Sequence, residues 1–243
     1  KNKNMRKILL IVLVLVMFLM NTGFDYNKTI NVNEEGATLG LVFENPVTLS
    51  IIGDSITYGA MPDMSRGLAY PERLGNLCKA VTVNNYGISG TTIAVNSTLS
   101  MVSRFQDIDK ESNLIIIAGG TNDFGLNTPM GDVNSTDTST FNGALNYMII
   151  NLKLMFPDKY IVIDTPITRA DQYNRNEQGL LLEDYANAIK EAAKRHDIYL
   201  LDLNQDAKLF FLSDLNQYMQ DGLHPNEIGQ QMIAEELNRM IFS

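Results

Sequence analysis

The sequence predicts a doubly wound α/β/α sandwich with about five parallel strands, and three observations carry that expectation. Short apolar runs rich in β-branched residues recur along the chain. Helical patterns stand between them, and glycine with Ser, Thr or Asn follows each of the first three runs.

The runs are TLSIIG at 48–53, AVTVNNY at 80–86, LIIIAG at 114–119, YIVIDT at 160–165 and IYLLDL at 198–203. Their mostly continuous apolar character predicts strands buried on both faces of a parallel sheet. Phe141, Leu145, Met148, Leu152 and Met155 recur at helical spacing, as do Leu181, Tyr185, Ala188 and Ala192. A last helix is predicted from about Asn226, with Ile228, Met232, Ile233, Leu237 and Ile241 on one face. A chain of 243 residues, 45% of them hydrophobic, suits one well-cored domain, here 47–243. Residues 24–46 read as a linker or peripheral segment.

Lys1, Lys3, Arg6 and Lys7 precede an apolar run, Ile8 to Met20. This pattern predicts a secretory signal peptide or an uncleaved N-terminal anchor over 1–23, and hence an extracytoplasmic or cell-envelope protein. Without those four cations the chain has 15 Lys plus Arg against 28 Asp plus Glu, a net charge of −13. Such acidity repels phosphate backbones, so nucleic acid is not expected as a partner, and a membrane is expected only through an uncleaved N-terminus. The single cysteine, Cys78, lies in an apolar stretch and reads as core filler. Two histidines and one cysteine offer no spacing for zinc, and no metal or other cofactor is expected.

In doubly wound sheets, ligands sit outside the carboxyl ends of the strands, so the residues after each run are the candidates. The first run ends in GDSITYG, the second in YGISGTT, the third in GGTND and the fourth in TPITRAD. Ser55 stands where a nucleophile at a strand-to-helix turn would stand, although capping that helix would suit a serine equally. Asp54 reads as a turn-holding residue. A serine hydroxyl needs a base, and His224 in DGLHPN has Asp221 three residues upstream to orient it. His196, in AAKRHD, reads as a solvated cationic helix end instead. Donors for an oxyanion are available from the backbone N–H of Ser55, the backbone N–H of Gly90 and the side-chain amide of Asn122. Gly90 as a turn glycine and Asn122 as a helix cap remain open readings at this point.

These blocks together resemble the SGNH, or GDSL-type, hydrolases over roughly residues 48–242. The resemblance rests on GDSITYG, YPERLGNL, NNYGISGTT, GGTND and DGLHPN. It implies a flavodoxin-like sandwich, a Ser55–His224–Asp221 triad, and an oxyanion hole from Ser55, Gly90 and Asn122. Two polar loops, 124–140 and 168–179, are expected to flank the site. Arg169, Tyr173 and Arg175 in the second are expected as solvated loop residues or as contacts to a polar ligand. Their polarity favours a short acyl ester, acetyl above all, on a carbohydrate or small-molecule carrier. A lysophospholipase or thioesterase, an O-acyltransferase and a non-catalytic glycan-binding module on the same scaffold stand as alternatives. Oligomeric state is not legible.

Overall fold

The computed structural model describes residues 38–43, 47–204, 209 and 212–242. The signal or anchor expected at 1–23 therefore lies outside the described residues, as does most of 24–46. Five strands pair in parallel: β1 Thr48–Gly53, β2 Thr82–Gly87, β3 Leu114–Ala118, β4 Tyr160–Asp164 and β5 Tyr199–Leu201. Their order is β2-β1-β3-β4-β5. The chain leaves β1 towards β2 on one side and pairs β3 on the other, so β1/β3 is the switch point of a flavodoxin-like sheet. Gly87, Gly53, Ala118, Asp164 and Leu201 lie side by side across its carboxyl edge.

The described helices are α1 Ser55–Tyr58, α2 Tyr70–Leu77, α3 Met101–Arg104, α4 Thr121–Gly125, α5 Phe141–Met155, α6 Leu182–His196, α7 Leu215–Tyr218 and α8 Glu227–Phe242. Ile52, Ile115, Ile117, Ile161 and Ile163 join α5 and α6 in one apolar cluster. The alternate residues Leu49, Ile51, Ile116 and Val162 are equally buried and point to the opposite face, as strand periodicity requires. There α2 packs on α8. Each such Leu or Ile contributes about 1.5–3 kcal/mol on burial, which is why the central strands read so clearly in the sequence. On the same side of the molecule, the N–H groups of Leu39 and Leu41 donate to the carbonyls of Met240 and Ile241 at 2.5 and 2.9 Å.

Four expectations need correction. β2 is an edge strand and only half-buried, because Asn84 and Asn85 interrupt its apolar run. Asn85 instead donates to the Thr57 carbonyl at 2.8 Å and accepts the Gly87 N–H at 2.9 Å. On α8, Ile233, Leu237 and Ile241 face the core, but Ile228 is 59% exposed. Asn226 starts this helix by accepting the N–H groups of Ile228 and Gly229, which turns Ile228 outward. Cys78 is half-buried at the end of α2 rather than in the core. His196 is not a solvated cation: its Nε2 lies 2.7 Å from Asn146 Oδ1. Burial, then Arg195 and Lys153, pushes its pKa below the ordinary histidine value and so disfavours the cation.

Candidate active site

Ser55 is the first residue of α1, immediately beyond the carboxyl end of β1, and is buried. Capping is not its task. Asp54 is the N-cap, and its Oδ1 accepts the Ile56 N–H at 2.9 Å. As first residue of the helix, Ser55 has a backbone N–H with no acceptor inside it. The turn is short because Gly59 closes it in the left-handed region, at φ 94°. It also sits hard against β2: a Cβ on Gly87 would meet the backbone of Thr57 and Tyr58 at 2.2–2.6 Å. Glycine at 87 is thus a spacer that lets α1 rest on the sheet edge.

The Ser55 Oγ lies 3.0 Å from His224 Nε2, and His224 Nδ1 lies 2.6 Å from Asp221 Oδ2. A carboxylate only accepts, so the imidazole proton is held at Nδ1 and Nε2 is left to accept from the serine hydroxyl. The other carboxylate oxygen of Asp221 takes the backbone N–H groups of Leu223 and His224 at 2.9 and 2.8 Å. Burial raises the Asp221 carboxyl, but the hydrogen bonds from His224 and Leu223 outweigh it and hold it below the ordinary carboxylate value. The helix behind this loop, α8, is tied to α1 and α2 by Gln230, which is fully buried. Its Oε1 accepts the Tyr70 N–H at 2.8 Å and its Nε2 donates to the Ile56 carbonyl at 3.2 Å. Residues 55 and 224, 169 positions apart, are therefore docked through the start of α8.

The predicted oxyanion donors come from the next two strand ends. Gly90 is exposed in a left-handed turn at φ 77°, closed by Thr91 N–H to Ile88 carbonyl at 3.4 Å. That bond leaves the Gly90 N–H outside the turn. The turn reading of Gly90 and the donor reading are thus compatible. Asn122 is not a cap, because Gly120 holds the N-cap position of α4. Its Nδ2 donates to the Thr91 carbonyl at 2.9 Å, which ties the third strand end to the loop after the second. An amide has two N–H bonds, so one is left for a ligand. Asp123 adds a further tie, accepting the N–H groups of Ile93 and Ala94 at 2.8 and 3.1 Å. Burial pushes its carboxyl up to about 7 despite those bonds.

Both predicted loops touch these elements. In the first, which begins beyond α4 and not at Phe124, Thr138 accepts the Val95 N–H at 2.8 Å. In the second, the Ala170 N–H donates to the Gly222 carbonyl at 2.9 Å, beside Asp221. Tyr173 and Arg175 are exposed, but Arg169 is not a solvated charge. Its guanidinium donates to the Thr121 carbonyl at 2.9 Å, pairs with Asp171 and lies 5.0 Å over the Phe124 ring. Sequence patterning misses Asp123, whose partners lie in the loop after β2, and misses the contacts of Arg169 with Thr121 and Phe124. Among the described residues, no group of three or more His, Cys, Asp or Glu is placed to hold a metal ion.

A cavity of about 30 Å³ bordered by both chain neighbours of Ser55 has a polar lining that includes Asp54, Thr57, Tyr70, Thr121, Asp164 and Thr165. Burial pushes the Asp54 carboxyl up to about 6, against the opposing bond from Ile56. Asp164 is raised well above the ordinary range, by burial first and by the charge of Asp54 second. A carboxyl that holds its proton more tightly when folded lowers stability as the pH rises from its unfolded value, about 4, towards its folded value. Asp164→Asn removes that loss. In thermal melts the variant should stay close to the parent near pH 4 and exceed it by a few degrees at pH 8, since each kcal/mol is worth about 2–4 °C here. A gap that does not widen with pH would mean that Asp164 ionises in place without penalty.

Residues 51–232 match the family model of the GDSL-like lipase/acylhydrolases. The acetylxylan esterase of Xylanibacter ruminicola is 27% identical over 214 residues, covering 79% of this chain and 42% of that protein. The chain thus spans less than half the length of this curated relative. A solved protein from Lactobacillus plantarum superposes with a TM-score of 0.72 at 28% identity, covering 80% of this chain and 96% of that one. The lipase/acylhydrolase from Enterococcus faecalis shares the fold, with a TM-score of 0.59 at 18% identity over 79% of this chain and 94% of its own. With three-quarters of its length inside the family model, the chain belongs to the GDSL-like lipase/acylhydrolase family.

Proposed function

We propose that the protein is a serine esterase that removes short acyl groups, acetyl above all, from a carbohydrate carrier. The observation that carries this reading is the continuous hydrogen-bond path from Ser55 Oγ through His224 to Asp221, at 3.0 and 2.6 Å. His224 Nε2 takes the hydroxyl proton as Oγ attacks the ester carbonyl carbon, and Asp221 stabilises the resulting imidazolium. The developing oxyanion is held by the Ser55 and Gly90 N–H groups and the Asn122 amide. The C–O bond then breaks, and the alcohol leaves with the proton from Nε2. Water repeats the cycle on the acyl-enzyme and releases the acid. No cofactor is required at any step.

The acyl and carrier preference draws support from the acetylxylan esterase relative and from the polar loops 124–140 and 168–179. Loops so poor in aliphatic residues give a long acyl chain little apolar surface to bury, and each unburied CH₂ forfeits about 0.8 kcal/mol. The test is a p-nitrophenyl ester series from acetate to palmitate, followed by acetate release from acetylated xylan and acetylated peptidoglycan. The kcat/KM should fall as the chain lengthens. A value that climbs towards palmitate would replace this reading with a lipid hydrolase. Acyl transfer to an added sugar faster than to water would make the protein an acyltransferase.

A further inference from the structure

Arg104, the last residue of α3, takes no part in the steps above, yet its guanidinium touches the segments that carry Ser55 and Gly90 and, through Thr91, reaches the one that carries Asn122. Nη2 donates to the Gly53 carbonyl at 2.8 Å, two residues before Ser55. Nη1 donates to the Tyr86 carbonyl at 2.7 Å, at the end of β2 that leads to Gly90. Nη2 also reaches Thr91 Oγ1 at 3.3 Å, and the carbonyl of the same Thr91 holds the Asn122 amide at 2.9 Å. Nε donates to the Leu99 carbonyl at 2.7 Å, which fixes the fork to its own loop. The Gly53 carbonyl shares the junction, since it also accepts the Ile88 N–H at 3.1 Å.

The side chain is half-buried. Burial lowers its pKa, with Asp54 and Asp107 opposing, but an arginine stays charged throughout. A half-buried cation whose donors are spent on carbonyls from separate strand ends suits a fixed fork, and lysine, a point charge on a flexible stem, cannot reproduce it. Gly53 and Tyr86 stand at the last pairs of β1 and β2, and Thr91 lies in the loop beyond β2.

We propose that Arg104 is the positioning residue of the oxyanion hole, setting the Ser55, Gly90 and Asn122 donors at the mutual spacing that the transition state needs. It touches neither substrate nor the reacting atoms, and the inference rests on the serine esterase reading. Donor placement matters only once charge develops on the oxygen, so its loss should appear in kcat and not in KM. A misplacement of about 1 Å costs on the order of 10²-fold.

The test is a double-mutant cycle on p-nitrophenyl acetate with Arg104→Lys, Asn122→Ala and the pair, Arg104→Gln being a second route should the lysine fail to fold. Arg104→Lys should lose about 10- to 100-fold in kcat with KM within about twofold. Asn122→Ala should lose about 10²–10³-fold. The pair should fall measurably short of the product of the single losses, because the Asn122 donor already removed can no longer be misplaced, while Ser55 and Gly90 still can. Losses that multiply, or a loss confined to KM or to melting temperature, would reduce Arg104 to a general stabiliser and overturn the proposal. Full activity in Asn122→Ala would instead remove Asn122 from the mechanism and fault the esterase reading at its oxyanion hole.

Discussion

Ser55→Ala is expected to lower kcat on p-nitrophenyl acetate by about 10⁴–10⁶-fold while leaving the fold intact. The serine side chain contributes a single oxygen to the site, and its one described partner is His224 Nε2 at 3.0 Å. Removing that oxygen leaves the Asp54 cap, the Gly59 turn and both Gln230 bonds untouched, so the melting temperature should move little. The loss is chemical and not structural, because no nucleophile remains for His224 to deprotonate. Residues that act as a unit are not additive, so Ser55→Ala combined with His224→Ala should be hardly slower than either alone. A fluorophosphonate probe supplies the independent measurement. It should label the parent at Ser55 and leave the variant unlabelled. Labelling of Ser55→Ala at the parental rate would place the nucleophile elsewhere and dismiss this site.

The second large effect is expected from Asp221→Asn, a loss of about 10⁴-fold in kcat with KM nearly unchanged. The geometry makes this substitution unusually clean. An asparagine can still use its oxygen to accept the Leu223 and His224 N–H groups, now at 2.9 and 2.8 Å, so the loop keeps its shape. What changes is the atom facing the imidazole at 2.6 Å: an acceptor becomes an NH₂ donor. Nδ1 must then lose its proton to accept, and the proton moves to Nε2, opposite Ser55. A base that already carries its proton cannot take another from the serine. Circular dichroism and melting temperature should match the parent while turnover collapses. A variant within tenfold of the parent would show that His224 is oriented by some other group.

The sheet was legible where burial is complete. β1, β3 and β4 are central, both of their faces are apolar, and their runs stand out residue by residue. β2 and β5 lie at the edges, where one neighbour is missing and side chains are part-exposed, so their ends shift by one or two residues. Helix α8 shows a different limit: its periodicity is clear, but the cap at Asn226 sets which residue of the first turn points outward, and Ile228 does. Of the candidate site, the grouping of Ser55, His224 and Asp221 was legible because each stands in a short pattern at a strand end or before a helix, and Gly90 and Asn122 stand in such patterns at the next two strand ends. Arg104 and Asp123 were not, and Arg169 was singled out without its bond to the Thr121 carbonyl, because these roles lie in bonds to carbonyls and N–H groups distant in sequence. No local pattern encodes such bonds. Asp164 was hidden for a related reason, since only the three-dimensional neighbours of a carboxyl reveal that it is buried near another.

The docking of α8 through Gln230 has a consequence for how this protein should fail. Asp221 and His224 are three residues apart and hold each other through local bonds, whereas Ser55 meets them across the interface that Gln230 spans. Mild heating or denaturant that loosens the carboxyl-terminal helix would disconnect the two halves while the sheet stays folded, since local opening costs less than global unfolding. Turnover would then vanish ahead of any spectroscopic melt and return on cooling. Helix α8 would then act as a fuse that resets.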